Sequence, residues 1–200
     1  MVNVDFDEHL LASNFAFGAA QQGVTALDSV ATGAFESSDL LSAWTIASAG
    51  ANQWKNEPSI FLSTNRDHRV VFYARPLAAN ADALLGISQG AQTSWTGLAA
   101  IMRFNTNNTI DVRNGGSYMA DVAFPYVPDT SYQINIIFNM NYPGPGNFYS
   151  VWVTGPDGKA VQIANHYAFR SAQQNVTFLN NWVVEANPGS LAAFLLNTHY

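Results

Sequence analysis

Six polar or aromatic residues occupy alternate positions on predicted strands and have the chemistry to bind a sugar. They are Arg103, Asp111, Arg113, Gln133, Asn135 and Trp152. Planar amide and guanidinium groups can form paired hydrogen bonds with neighbouring hydroxyls, and an indole ring can cover the apolar face of a sugar. If the strands that carry them are neighbours, these residues form one concave carbohydrate-binding surface.

The same pattern also has a purely structural interpretation. Arg103, Asp111 and Arg113 can form a solvated charge pair across adjacent strands, and Trp152 can pack beneath a loop. Further aromatic residues near predicted turns could form the rim of a site or pack locally: Trp95, Tyr118, Tyr142 and Trp182. Both interpretations stay open from the sequence.

Acidic residues near the start of the chain are candidate metal ligands. Asp5 and Asp7, with Glu8 beside them, offer the hard oxygen atoms that calcium prefers. No calcium loop of the EF-hand type accompanies them, and a solvated acidic edge is the simpler interpretation. Among cofactors, the sequence suggests only a structural calcium ion at Asp5 and Asp7.

Catalysis would require other patterns. Glycoside hydrolysis needs two facing carboxylates about 5–10 Å apart, but Glu185 is the only acid on its predicted strand. His166 lies near a turn, and no Gly-x-Ser-x-Gly elbow is present. We therefore predict that the chain is not an enzyme. A polysaccharide lyase or hydrolase that uses Glu185 or His166 is the less favoured alternative.

The strands that would position these side chains are clearest in residues 131–155. Apolar and polar residues alternate with a period of two along 131–140, which is typical of a strand with one buried face. A second alternating stretch follows at 148–154. Between the two, residues 141–147 contain Pro and Gly, which favour a turn over a continued strand.

Similar short strands follow one another along most of the chain. They are predicted at residues 44–48, 59–63, 69–75, 83–88, 99–104, 109–113, 118–124, 131–140, 148–154, 160–164, 176–185 and 191–197. Turn sequences lie between them at 107–108, 114–116, 128–129 and 156–158. Strands separated by turns every 8–12 residues or so predict an all-β fold, a two-sheet antiparallel β-sandwich.

The two ends of the chain differ from this pattern. Residues 1–43 are weakly periodic and predict an irregular N-terminal arm, with a helical turn near 38–43, before a sandwich domain at 44–200. Residues 190–196 are apolar on both faces, which predicts either a central strand or an interface strand. A homo-oligomer that packs through residues 1–43 and 191–200 would use both ends.

Composition limits the partners. Charged residues are 11% of the chain, against about 25% in an average domain, so uncharged polar groups must cover much of the surface. A net charge of −6 with only 8 Lys and Arg residues argues against nucleic acid. Cysteine is absent, which excludes disulfides. No signal peptide is recognisable, and no apolar run approaches the ~20 residues that a membrane span needs.

Several local motifs between about residues 98 and 182 carry a family resemblance. They are a strand ending in DVRNGG, the entry YVPDTSY into a long strand, the strand YSVWVT, and YAFR. In these features the chain resembles concanavalin A-like, laminin-G-like jelly-roll carbohydrate-binding modules of bacterial polysaccharide-degrading enzymes. The resemblance implies two curved, stacked sheets, non-catalytic polysaccharide binding, and often a structural calcium ion between early and late strands.

The main functional expectation is thus a non-catalytic polysaccharide-binding module that works outside the cell or on a particle surface. Residues 1–43 have no counterpart in the resemblance, which leaves room for a second hypothesis. In that alternative the chain is a structural subunit of a virus particle or extracellular fibre, and the jelly roll serves as an assembly brick.

Overall fold

A computed structural model of the chain describes residues 23–27, 41–47, 52–58, 60–64, 66–141, 146–188 and 190–197. Within these ranges the chain forms fifteen strands and two short 3-10 helices. The strands are β1 Gly23–Leu27, β2 Leu41–Ala47, β3 Gln53–Glu57, β4 Leu62–Ser63, β5 Arg66–Pro76, β6 Ala83–Ser88, β7 Leu98–Phe104, β8 Thr109–Asn114, β9 Ser117–Pro125, β10 Tyr132–Met140, β11 Asn147–Thr154, β12 Ala160–Ala168, β13 Phe178–Leu179, β14 Asn181–Ala186 and β15 Leu191–Asn197. The helices are Trp95–Gly97 and Ser171–Gln173.

Two antiparallel sheets form the sandwich. The seven-stranded sheet has the order β1-β2-β15-β5-β10-β11-β12, and the six-stranded sheet has the order β3-β14-β6-β7-β8-β9. A two-stranded ribbon, β13-β4, completes the described strands. Every strand pair is antiparallel. The predicted fold class, a two-sheet antiparallel β-sandwich, is confirmed.

The core lies between the two sheets and follows the alternation in the sequence. Along β10, the residues Tyr132 to Met140 alternate strictly between buried and half-buried positions. The edge of the Trp182 ring on β14 packs on Phe72 of β5, with 5.7 Å between the ring centroids. Both side chains are almost fully buried. Contacts of this kind hold the sheets together, since each buried large apolar side chain contributes about 1.5–3 kcal/mol.

The predicted turns are present where the sequence placed them. Asn108, Gly115, Asp129 and Gly158 have φ angles of 58°, 52°, 60° and 71°, which is the left-handed region. Each of these residues lies within one of the four predicted turn sequences. Asn, Asp and Gly are the residues that adopt this backbone conformation at least cost.

Some strand assignments differ from the predictions. Two strands were missed, β1 and β3, and the predicted strand at 176–185 is divided into β13 and β14. The division occurs at Asn180, whose N–H donates to the Ser88 carbonyl at 3.0 Å. Residues 41–43 begin β2 and do not end a helical turn. The domain boundary at residue 43 stays a prediction, although β1 within the proposed arm pairs with β2.

The apolar tail is a central strand. β15 lies between β2 and β5 in the seven-stranded sheet and pairs with both. The first of the two predicted roles for this segment, a central strand, is therefore the observed one. Contact with a second subunit through residues 1–43 or 191–200 stays a prediction.

Candidate functional site

The structure divides the six predicted sugar-binding residues between the two outer faces of the sandwich. The six-stranded sheet carries Arg103, Asp111 and Arg113, and the seven-stranded sheet carries Gln133, Asn135 and Trp152. The residues that alternate with them fill the core between the sheets, so the two groups point in opposite directions. The prediction of one shared surface is therefore wrong, because β8 and β10 belong to different sheets.

The group on the seven-stranded sheet forms an amide-rich strip. Gln133 Nε2 donates to the Tyr73 hydroxyl at 2.8 Å, and Arg69 Nε donates to Asn135 Oδ1 at 3.1 Å. Asn135 lies opposite Trp152 in the β10–β11 ladder. These polar groups already bond to neighbouring side chains, and their role in binding stays a prediction.

The group on the six-stranded sheet borders a pocket of about 350 Å³. This volume is near the lower end of the range of about 300–1,000 Å³ that is usual for ligand pockets. Charged and aromatic side chains dominate its walls: Asp82, Trp95, Arg103, Arg113, Tyr118 and Arg170. Three strands of the sheet, the loop before β6, the 3-10 helix Trp95–Gly97 and the segment after β12 supply these residues.

Arg103 is fixed by two hydrogen bonds to one carboxylate. Arg103 Nε lies 3.0 Å from Asp111 Oδ1, and Arg103 Nη2 lies 2.7 Å from Asp111 Oδ2. Asn105 Nδ2 also donates to Asp111 Oδ2 at 2.8 Å. Burial acts to lower the pKa of Arg103, but the hydrogen bond and charge of Asp111 outweigh it and raise the pKa overall. Such a paired, hydrogen-bonded guanidinium is a rigid part of the wall.

Tyr118 lies between two guanidinium groups. The Arg103 guanidinium carbon is 3.9 Å from the Tyr118 ring centroid, and that of Arg113 is 5.0 Å from it. Arg113 is held by its own turn, because its side chain donates to the carbonyls of Gly115 and Gly116 at 3.1 and 2.6 Å. Burial raises the pKa of Tyr118, so its hydroxyl is neutral and can donate a hydrogen bond at ordinary pH.

Arg170 enters the pocket from the opposite sheet. It follows β12, and its backbone N–H donates to the Ala99 carbonyl on β7 at 2.8 Å. A second bond between the sheets, from Gly115 N–H to the Ala168 carbonyl at 3.0 Å, supports this crossing. Burial lowers the pKa of Arg170, and the charge of Arg113 adds to that effect. Within the described part of the chain, neither Arg113 nor Arg170 has a carboxylate ion-pair partner.

A buried acid adjoins the pocket. Glu185 has no solvent exposure, and its Oε1 atom accepts a hydrogen bond from Asn52 at 2.7 Å. Its Oε2 atom has no hydrogen-bond partner among the described residues. Burial raises the pKa of Glu185 to about 7, the charge of Asp82 acts in the same direction, and the Trp95 indole and the Asn52 amide oppose it.

The two residues of the enzyme hypothesis do not form one site. Glu185 lies on β14 of the six-stranded sheet, whereas His166 lies on β12 of the seven-stranded sheet. Because Glu185 is closed off from solvent, its carboxylate does not present a proton to a ligand in the pocket. The geometry gives no support to a hydrolase that combines these two residues.

Tyr149 connects the seven-stranded sheet to two strands of the pocket, β7 and β8. It is fully buried on β11, and its hydroxyl donates to the Arg113 carbonyl and accepts a bond from Ile101 N–H at 3.5 Å. We expect Tyr149→Phe to destabilise the fold by about 1–3 kcal/mol, because a buried carbonyl loses its partner. Thermal unfolding followed by circular dichroism measures the effect.

Tyr167→Phe is the matched control for this substitution. The Tyr167 hydroxyl donates to Asp121 Oδ1 at 2.8 Å, and Asp121 is exposed, so water can replace the lost bond. The control should therefore cost less than Tyr149→Phe. A Tyr149→Phe protein as stable as the unsubstituted chain would contradict the interpretation.

The sequence identified part of this pocket. Trp95 and Tyr118, predicted as possible rim residues, do line it, whereas Trp182 is fully buried in the core. Tyr142 and the proposed calcium ligands, Asp5 and Asp7, lie outside the described residues. Asp82 and Arg170 were missed, since no local pattern marks them, although Arg170 is the last residue of the YAFR motif.

Comparison with known proteins establishes the fold and no more. No family model matches the chain, and no curated protein matches it. Among solved structures, a peanut lectin has a TM-score of 0.53 and 9% identity, covering 88% of this chain and 97% of that chain. A sialidase has a TM-score of 0.51 and 8% identity, covering 78% of this chain but only 15% of that chain.

These likenesses and the two-sheet topology define the fold. The chain has a concanavalin A-like jelly-roll fold, as the resemblance implied, and it carries a pocket rich in arginine and aromatic residues on its six-stranded sheet. In the part of the chain that the structure describes, no group of three or more His, Asp or Glu side chains is arranged to hold a metal ion. No helix there is long and apolar enough to cross a membrane.

Proposed function

We propose that this jelly roll is a non-catalytic carbohydrate-binding module whose ligand occupies the pocket on the six-stranded sheet. The pocket itself is the observation that carries the proposal. It combines two aromatic rings, Trp95 and Tyr118, with the guanidinium groups of three arginines and the carboxylate of Asp82. A module of this kind would act outside the cell or on a particle surface, where polysaccharides are met.

The chemistry of the walls suits a sugar. Trp95 is 42% exposed, so its ring is available to cover an apolar sugar face. The Asp82 carboxylate can accept bonds from hydroxyls, and the Asn187 amide beside it can both donate and accept. The lectin-like fold supports the same proposal, because the peanut lectin is one of the structures that it resembles.

A polysaccharide array tests this proposal with two tryptophan variants. We expect the unsubstituted chain to bind selected polysaccharides, and Trp95→Ala to weaken that binding about tenfold or more through the loss of an aromatic anchor. Because the Trp95 indole also acts on the buried Glu185, a thermal scan of Trp95→Ala must show that the variant is folded at the assay temperature. Trp152→Ala, the same change on the opposite outer face, should leave binding intact.

The other outcomes have defined meanings. Loss of binding in Trp152→Ala alone would move the site to the amide-rich strip on the seven-stranded sheet. An unsubstituted chain that binds no polysaccharide would refute the proposal. The hypothesis of a structural subunit would then take its place, and particle size in solution would be measured next.

A further inference from the structure

We propose that the pocket selects a saccharide that carries an oxyanion, either a carboxylate or a sulfate ester, and that Arg113 and Arg170 bind this group. The inference rests on the proposed function and specifies its ligand class. It follows from how charge is distributed among the side chains that line the pocket.

Positive charge is scarce in this chain, yet it is concentrated here. The chain has 8 Lys and Arg residues and a net charge of −6. Three of the eight, Arg103, Arg113 and Arg170, line this one pocket. Grouping guanidinium ions is unfavourable unless a negative group offsets their repulsion. Asp111 offsets the charge of Arg103, which leaves the charges of Arg113 and Arg170 available to an anionic partner.

The three arginines of the pocket are in two different electrostatic situations. Arg103 is neutralised by its bidentate pair with Asp111, and the charge of Asp82 also acts on it. Arg113 donates to backbone carbonyls, and Arg170 forms no side-chain hydrogen bond within the described part of the chain. Arg113 and Arg170 therefore present positive charge that no described carboxylate offsets.

A sugar acid or sulfated sugar matches both kinds of group. Its hydroxyls can bond to Asp82 and Asn187, while its oxyanion can accept the charge-assisted bonds that guanidinium groups form with carboxylates and sulfates. The rings of Trp95 and Tyr118 also line the pocket. A free inorganic anion would use only Arg113 and Arg170.

Binding measured by calorimetry tests this inference with charge-matched variants. The probes are polygalacturonate, dextran sulfate, dextran and mannan, of which the first two are anionic. We expect the double variant Arg113→Gln/Arg170→Gln to lose at least about tenfold in affinity for the anionic polymer that the unsubstituted chain binds. Polygalacturonate and dextran sulfate distinguish a carboxylate from a sulfate ligand.

The control removes two positive charges that lie outside the pocket. Arg66 on β5 and Lys159 just before β12 are exposed, and Arg66→Gln/Lys159→Gln should change the affinity less than twofold or so, since a distant surface charge matters little. An equal loss in both double variants would overturn the inference, because it would show attraction to net charge alone. Arg170→Gln by itself is a milder second variant, since it removes no side-chain hydrogen bond that the structure describes.

The remaining outcomes separate this inference from the proposed function. Binding to dextran or mannan, with no preference for the anionic polymers, would overturn the oxyanion inference and leave a carbohydrate-binding module. Binding to none of the four, together with a silent polysaccharide array, would refute both. Binding to an anionic polymer that persists in Arg113→Gln/Arg170→Gln would place the anion elsewhere.

Discussion

A chain that ends at Ser190 is expected to be unfolded, because it lacks the strand that joins two parts of the seven-stranded sheet. β15 pairs with β2 along Leu191–Asn197 and with β5 along residues 192–196. Without it, β1 and β2 have no hydrogen-bonded connection to the rest of their sheet. The new edge of β5 would expose a long row of unpaired backbone groups. Near-ultraviolet circular dichroism and a thermal scan should show no cooperative unfolding.

A chain that begins at Asp28 is the control for this deletion. It removes the edge strand β1, which pairs with β2 alone. Loss of an edge strand should lower the melting temperature but leave a cooperative transition. A cooperative transition in the chain that ends at Ser190 would contradict the role assigned to β15.

The expected loss of folding also limits how an assembly can be tested. Deleting residues 191–200 would abolish assembly and folding together, so it cannot test an interface at the tail. Substitutions on the outer faces of an intact sandwich are the suitable probes, because they leave the strand in place.

Alternation along single strands made much of the fold predictable. The period of two on β10 identified its buried face correctly, and turn residues such as Gly115 and Gly158 gave the strand ends. β3 was missed because its sequence, QWKNE, shows no apolar alternation, and all five of its residues are half-buried. A strand at a sheet edge needs fewer apolar residues, so its pattern is weaker.

The order of strands in each sheet was beyond the reach of local patterns. Pairing joins residues that are distant in sequence, for example Ala192 with Pro76, and many orders satisfy the same alternation. The Arg103–Asp111 pair was foreseeable because a short turn connects β7 and β8. Whether Gln133 shares that surface depends on sheet order, and here the prediction failed.

Pocket residues from loops were the least predictable. Asp82 precedes β6, and Arg170 follows β12 of the other sheet. They meet only because the chain crosses between the sheets after β12, where backbone bonds such as that from Arg170 to Ala99 hold it. No local sequence pattern encodes such a crossing, so the presence of Arg170 in the same pocket as Arg113 could not be inferred before the structure.

Glu185→Gln is expected to raise the melting temperature at pH 8 and to raise it much less at pH 5. The folded chain raises the pKa of Glu185 from 4.5 to about 7 through burial. Between these values the folded chain keeps a proton that the unfolded chain has released, so stability falls as the pH rises through this window. Above pH 7 or so the side chain is ionised in both states, and the full cost of burying its charge is present.

Gln reproduces the protonated acid and therefore removes this cost. Its carbonyl can accept the bond that Asn52 donates to Glu185 Oε1, and its amide takes the place of the acid hydroxyl. The gain at pH 8 should be on the order of 3 kcal/mol, which corresponds to about 6–12 °C in a chain of this length. At pH 5 Glu185 is still mostly protonated in the folded chain and the loss of stability has only begun, so the gain should be smaller, on the order of 1 kcal/mol.

Glu57→Gln makes the same chemical change at a half-buried position on β3 and should show no comparable difference between the two pH values. Melting curves of the three proteins at pH 5 and pH 8 decide the matter. If Glu185→Gln shifts the melting temperature equally at both pH values, or lowers it at pH 8, then Glu185 is not a buried acid whose ionisation destabilises the fold. In that case the Oε2 atom of Glu185 would have a hydrogen-bond partner in solution. The surroundings of Glu185 next to Trp95 would then be more polar than its burial indicates.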